Sequence, residues 1–225
     1  MRDWIQRILF WLSLIGIIVS IFMIFFYAPI DRNLGIVQKI FYFHLPVAIT
    51  PYLAFFVVFI CSIFFLWKRE RRWDVIALAS AEIGLVIDTA LLVTGTIWDK
   101  PTWGVWWVWE PRLTTSLIMW LLYAGYLLLR RSVGEEARRA RFAAVYGIVA
   151  FISVPISFMS IRWWRTLHPL VFKPTGIELE PPMVFTVFVC LIAFFLFYLC
   201  LLRQRIGLEF LREGIEDLKD RFGGG

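Results

Sequence analysis

Trp103-Gly-Val-Trp-Trp-Val-Trp-Glu-Pro-Arg-Leu-Thr-Thr115 is the stretch whose surroundings decide the fold. Four tryptophans, Trp103, Trp106, Trp107 and Trp109, crowd into it, with Trp98 just upstream and Glu110 and Arg112 just behind. Aromatic surface this dense is costly beside water unless something flat and apolar covers it. Two readings are open. In an aromatic belt at a membrane interface, each indole N–H stays wet while its ring is buried. In a platform for a planar ligand, the rings form a shelf. Either way the stretch joins two long apolar runs, 75–97 and 113–129.

Further outward the apolar runs repeat. A helix needs about 20 apolar residues to cross a bilayer, and six segments qualify: 8–28, 40–66, 75–97, 113–129, 142–161 and 183–202. The chain is 60% apolar and only 18% charged, against about a quarter charged in soluble domains, which excludes soluble globular packing. Helices are required, because lipid offers no partner to an open backbone group. The first run has Arg2 and Arg7 before it like a signal peptide, but it is too long and no A-x-A-like site follows, so it reads as an uncleaved span. The expected fold is an all-α integral membrane protein of six transmembrane helices, one polytopic domain over 1–225 without internal repeat. Cys61, Cys190 and Cys200 all lie in apolar runs, with no C-x-x-C or C-x-x-C-H, and read as inert core residues. There is no P-loop motif, so any ATP-driven step would belong to a partner.

Basic residues set the expected orientation. Of the 23 Lys and Arg, sixteen fall on one side: Arg2, Arg7, the block 68–72, the block 130–141 and the tail from Arg203. By the positive-inside rule both termini are then cytoplasmic. The connections 29–39, 98–112 and 162–182 face outward, to the periplasm in a Gram-negative cell, and the net charge of +6 is no argument for nucleic acid. In the tail, 206–222, Leu211, Ile215, Leu218 and Phe222 recur at helical spacing among charges of both signs. It reads as an amphipathic cytoplasmic helix on the inner leaflet or against a partner; a solvated tail is the plain alternative.

The only two histidines both fall on the outer side. His44, in Phe41-Tyr-Phe-His-Leu-Pro46, lies roughly 6 Å into the second span at 1.5 Å per residue. His168 lies in Arg162-Trp-Trp-Arg-Thr-Leu-His-Pro169. A lone histidine near a membrane surface is ordinarily an interfacial polar residue. Here both share the face that carries the tryptophans, and each is followed by a proline that restricts its backbone. Neutral imidazole is a common iron ligand, so two histidines from different connections can take the two faces of one haem iron.

The charged residues divide differently. Glu82 and Asp88 lie inside the third run, about 600° of helix rotation apart and so on different faces. An ionisable group at that depth is a functional candidate by default, with pairing to a neighbouring helix as the structural alternative. No partner at similar depth is visible in the sequence. Asp99, Lys100, Glu110 and Arg112 read as surface pairs of little energy. Alternatively, Arg112, Arg162 and Arg165 hold the carboxylates of a ligand, since a guanidinium forks onto a carboxylate.

The run Trp103-Gly-x-Trp-Trp-x-Trp-acid-x-Arg-Leu-Thr resembles the "WWD" signature of the haem-handling proteins of cytochrome c biogenesis. With six spans, the Phe-Tyr-Phe-His-x-Pro lead and the Trp-Trp-Arg-Thr-Leu-His connection, it is most similar to the haem exporter C branch of that family. The larger branches carry more spans and further histidines. The resemblance implies His44 and His168 as axial metal ligands to a transient, non-covalently held haem b. It implies Trp103, Gly104, Trp106, Trp107, Trp109 and Glu110 as the platform near the vinyl edge, with Arg112 a candidate partner for a propionate. It implies the bacterial inner membrane, a periplasmic haem chaperone (maturation protein E) as receiver, and an ABC transporter of A and B subunits with the small D subunit as further partners. Glu110 departs from the signature's usual Asp, moving the carboxylate by about one methylene.

No catalytic residue is expected; at most the chain has a haem-lyase-like role by proximity. A cytochrome b-type quinol oxidoreductase subunit would pair its histidines within the spans. A secondary transporter would show repeats and broken helices near the midplane. A scaffold would use its tryptophans only as a belt.

Overall fold

The computed structural model describes residues 3–31, 34–164, 172–173, 176–177 and 179–222. Helix α1 (Asp3–Phe22) runs through a π turn, Met23–Tyr27. A 3-10 turn, Ile36–Ile40, leads into α2 (Phe41–Lys68). There follow α3 (Arg71–Trp103), α4 (Pro111–Ser132), α5 (Glu136–Ala150), α6 (Ser153–Trp163) and α7 (Pro181–Phe222). Six of the resulting helical stretches are long and apolar enough to cross a membrane, α5 and α6 counting together as Glu136–Trp163. The non-helical pairing among the described residues is small: Phe172–Lys173 against Gly176–Ile177, and a bridge between Asp31 and Gly35.

The interruption between α5 and α6 at Phe151–Ile152 has a local cause. Pro155 lacks the N–H that would reach back to Phe151, so the helix cannot continue its bonding unaltered. Val154 N–H takes the Phe151 carbonyl instead, at 3.0 Å. The segment 206–222 continues α7 without a break, so the sixth apolar run and the tail form one helix of 42 residues.

Helices α2 and α3 form a tight hairpin at the centre. The chain reverses at Arg69, left-handed with φ 57°, whose N–H closes onto the Phe65 carbonyl at 2.9 Å. A helix C-terminus of this kind satisfies an otherwise orphaned carbonyl. Between lipid-soluble helices there is little hydrophobic driving force, so close packing and buried polar contacts hold the bundle. A Cβ at Gly84 would stand 2.7 Å from Phe55 Cε1, so only glycine lets the Phe55 ring rest on α3. That ring in turn stacks on Tyr123 of α4, centroids 3.4 Å apart. Ser80 ties α2, α3 and α7 together, donating to the Ala54 carbonyl at 2.7 Å and lying 2.8 Å from Tyr198 Oη. The three cysteines are buried and unpaired.

Charges collect where the α2–α3 turn lies. Arg130 binds Asp74 through Nη1 (2.5 Å) and Nη2 (2.8 Å), both side chains nearly inaccessible, and Arg71 joins Asp74. Glu82, for which the sequence shows no partner, has one here: Arg205 of α7 forks onto it at 2.5 and 3.2 Å. The Arg205–Glu82 pair clamps α7 against α3, and the Arg130–Asp74 pair joins α4 to α3.

Candidate functional site

The α3–α4 connection is built by two helix ends. Gly104, φ 78°, terminates α3 with its N–H on the Lys100 carbonyl at 3.0 Å, and its left-handed backbone favours glycine. Lys100 Nζ donates to the Gly104 carbonyl at 2.9 Å and lies 5.8 Å from the Trp106 ring centroid. Glu110 begins α4: its carboxylate accepts the Leu113 N–H at 3.1 Å, and Pro111 takes the first helical position, where no N–H is needed. A negative charge at that end also meets the positive pole of the helix. Glu110 is buried in this capping role.

Between these ends the tryptophans divide into two sets. Trp98 is buried and meets Trp103 edge-on at 5.6 Å. Trp107 meets Trp109 edge-on at 5.5 Å, and its Nε1–H is buried without a hydrogen-bond partner among the described residues. Trp106 (60% exposed) and Trp109 (74%) stand open. An open aromatic surface above a partly buried one can receive a flat apolar body from outside. Asp99, expected at the surface, is fully buried.

Trp107 borders a small cleft that is also lined by His44, Leu91, Leu92, Gly95, Arg112, Leu113 and Ser116. Three of the residues singled out from the sequence, His44, Trp107 and Arg112, thus meet at one place. His44 Nδ1 lies 3.0 Å from Thr94 Oγ1, and its Cε1 would be 3.5 Å from a Cβ at Gly95. The Thr94 hydroxyl has one proton and donates it to the Ala90 carbonyl at 2.8 Å. With the Thr94 hydroxyl donating to that carbonyl, Nδ1 donates to Thr94 and the lone pair is on Nε2.

Arg112 is held from two sides. Its Nη1 donates to Tyr52 Oη and, at 2.8 Å, to the Ser157 carbonyl, and the guanidinium lies 5.5 Å from the Tyr52 ring centroid. Ser157 Oγ lies within 3.3 Å of both Tyr52 Oη and Ser116 Oγ, so α2, α4 and α6 share one polar knot around the arginine. Asp88 lies within electrostatic range of Arg112. It is fully buried, and neither carboxylate oxygen has a hydrogen-bond partner among the described residues.

Arg162 sits farther along α6, 5.4 Å from the Phe158 ring centroid. His168 and Arg165 lie outside the described residues. No group of three His, Cys, Asp or Glu side chains able to hold a metal ion occurs among the described residues. Thr94, Gly95, Tyr52, Ser116 and Ser157 are site residues that the sequence reading misses. A polar residue beside a glycine within an apolar run, as at Thr94-Gly95, is the signal that would have found the first two.

The sequence pattern of the heme exporter protein C family matches residues 1–220. The chain is 36% identical over 194 residues to heme exporter protein C of Bradyrhizobium diazoefficiens, covering 85% of this chain and 74% of that one. It is 33% identical over 189 residues to heme exporter protein C of Haemophilus influenzae, covering 83% and 77%. It is also 31% identical over 178 residues to a putative cytochrome c biosynthesis ccmC-like mitochondrial protein of Marchantia polymorpha, covering 79% and 75%.

Proposed function

The chain belongs to the heme exporter protein C family, and on that premise we propose that it binds haem at the tryptophan end of its bundle and presents it to a periplasmic haem chaperone. The observation that carries this reading is the cleft shared by His44, Trp107 and Arg112, in a connection whose Trp106 and Trp109 stand open. Haem is the cargo, and what it brings when bound is a vinyl group for the chaperone's nucleophile.

The protein's residues fit that cargo. His44, held by Thr94 through Nδ1, would ligate through Nε2, and ligating histidines usually carry such a supporting hydrogen bond on the other nitrogen. His168 is the second axial ligand. Its connection leaves α6 at Trp163, about one and two-thirds turns beyond Ser157, which itself touches Arg112. Trp106 and Trp109 cover the apolar macrocycle, and Trp103, Gly104, Trp107 and Glu110 hold that shelf in place. Arg112 faces a propionate. Two nitrogen ligands without a covalent bond to the ring hold the cargo firmly yet releasably, and holding the vinyl beside its acceptor replaces a chance encounter by a near-intramolecular step.

The Lys and Arg bias supports termini in the cytoplasm and this site at the periplasmic face of the inner membrane. ATP-dependent work then falls to partners: the A and B subunits of an ABC transporter, with the small D subunit. The test is formation of c-type cytochromes in cells lacking the natural gene. His44→Ala and His168→Ala, present in the membrane at wild-type level, are expected to abolish both haem loading of the chaperone and cytochrome c formation. Full loading by both variants would overturn the proposal.

A further inference from the structure

Helix α7 is longer than a membrane requires. Its 42 residues extend about 63 Å at 1.5 Å per residue, roughly twice the hydrocarbon thickness of a bilayer. Beyond Arg203 it has two contrasting faces. One is clamped to the bundle: Arg205 pairs with Glu82 and, at 2.7 Å, with Glu209, while Arg71 engages Glu213. The opposite face is apolar and open. Leu208 (59% exposed), Leu211 (61%), Ile215 (46%), Leu218 (52%) and Phe222 (83%) succeed one another at alternating intervals of three and four residues. That is the spacing of a helix–helix seam. At about 100° per residue the seam points roughly opposite to Glu209 and Glu213.

We propose that this face docks one amphipathic partner helix whose own apolar seam is flanked by acidic side chains. The flanks select the partner. Arg212 and Lys219 line one edge of the seam and Arg221 the other, while the acids Glu209, Glu213, Glu216 and Asp220 lie around the back. Arg212 and Arg221 also pair with Glu216 and Asp217 along the exposed helix, but such pairs are weak and yield to a better partner. A second copy would set basic flank against basic flank in either helix direction. A lipid surface would require the segment to lie flat, whereas the Arg205 and Glu213 pairs hold it upright against the bundle. Gly207 and Gly214, one heptad apart on the Arg221 edge, have nothing within 4 Å of where a Cβ would stand. They leave the backbone open to a close approach. The docking surface is independent of the haem reading.

The experiment uses the detergent-purified full-length protein and two fluorescent synthetic helices with the same leucine seam, one flanked by Glu and the other by Lys. The Glu-flanked helix is expected to bind at least tenfold tighter by anisotropy. Leu211→Asp with Ile215→Asp should weaken it at least tenfold, with unchanged thermal unfolding. Reversing Arg212, Lys219 and Arg221 to Glu should move the preference to the Lys-flanked helix. Equal binding of the two helices, or binding of neither, overturns the proposal. So does a concentration-dependent dimer that Leu211→Asp abolishes, which would make the occupant a second copy. Lipid immersion of a nitroxide at Ile215→Cys in anionic nanodiscs would overturn it in favour of the membrane.

Discussion

Across the α2–α3 interface, His44 Nδ1 lies 3.0 Å from Thr94 Oγ1, and the Thr94 hydroxyl donates a hydrogen bond to the Ala90 carbonyl. This hydrogen bond fixes the orientation of the imidazole. Thr94→Val keeps the shape and removes the acceptor. Loss of such a supporting partner costs about 10–100-fold in metal affinity, so haem titration followed by absorption should show a drop of that order. Thr94→Ser should restore most of it.

Asp88 is fully buried within electrostatic range of the half-buried Arg112, without a direct hydrogen bond between them among the described contacts. Removing one leaves the other uncompensated in a low-dielectric interior. Asp88→Asn and Arg112→Gln should each destabilise the bundle, and the double variant should lose less than the sum, with a coupling of about 0.5–3 kcal/mol. Additive effects in thermal or denaturant unfolding would contradict the pairing.

At the other end, Arg130 and Asp74 make a fully buried ion pair. Asp74→Asn leaves the Arg130 cation stranded and should cost about 3–5 kcal/mol. Replacing both by apolar residues of similar volume should cost less than that single change. Unfolding in detergent, read by tryptophan fluorescence, separates the two outcomes.

Gly84 lies under the Phe55 ring. Gly84→Ala forces the ring off Tyr123 and should destabilise by about 1–3 kcal/mol, the usual range for overpacking. Phe55→Leu in the same background should recover part of the loss, because the shorter side chain frees the space the new methyl needs.

The apolar runs were legible because about 20 residues of one character suffice to mark a crossing, and each run has its counterpart among the membrane-length helices. His44, Trp107 and Arg112 were legible by residue type. Their common cleft was not, since it depends on how α2, α3 and α4 are rotated about their axes. The partner of Glu82 was hidden for a related reason: Arg205 stands 123 residues away, past the apolar end of the last run. Glu110 and Arg112 looked like an acid–base surface pair because they are close in sequence. Instead the first caps α4 and the second turns inward to Tyr52 and Ser157. The charges from Arg203 onward suggested a separate tail, yet nothing in 203–206 breaks a helix, and α7 runs on.

The central claim is that one haem is held between His44 and His168. It is tested most directly by the absorption spectrum of the detergent-purified protein from haem-replete cells, beside His44→Ala and His168→Ala. The account predicts a six-coordinate, acid-extractable haem in the parent protein, and five-coordinate haem or none in each variant. A parent protein without haem, or variants with an unchanged six-coordinate spectrum, would contradict it.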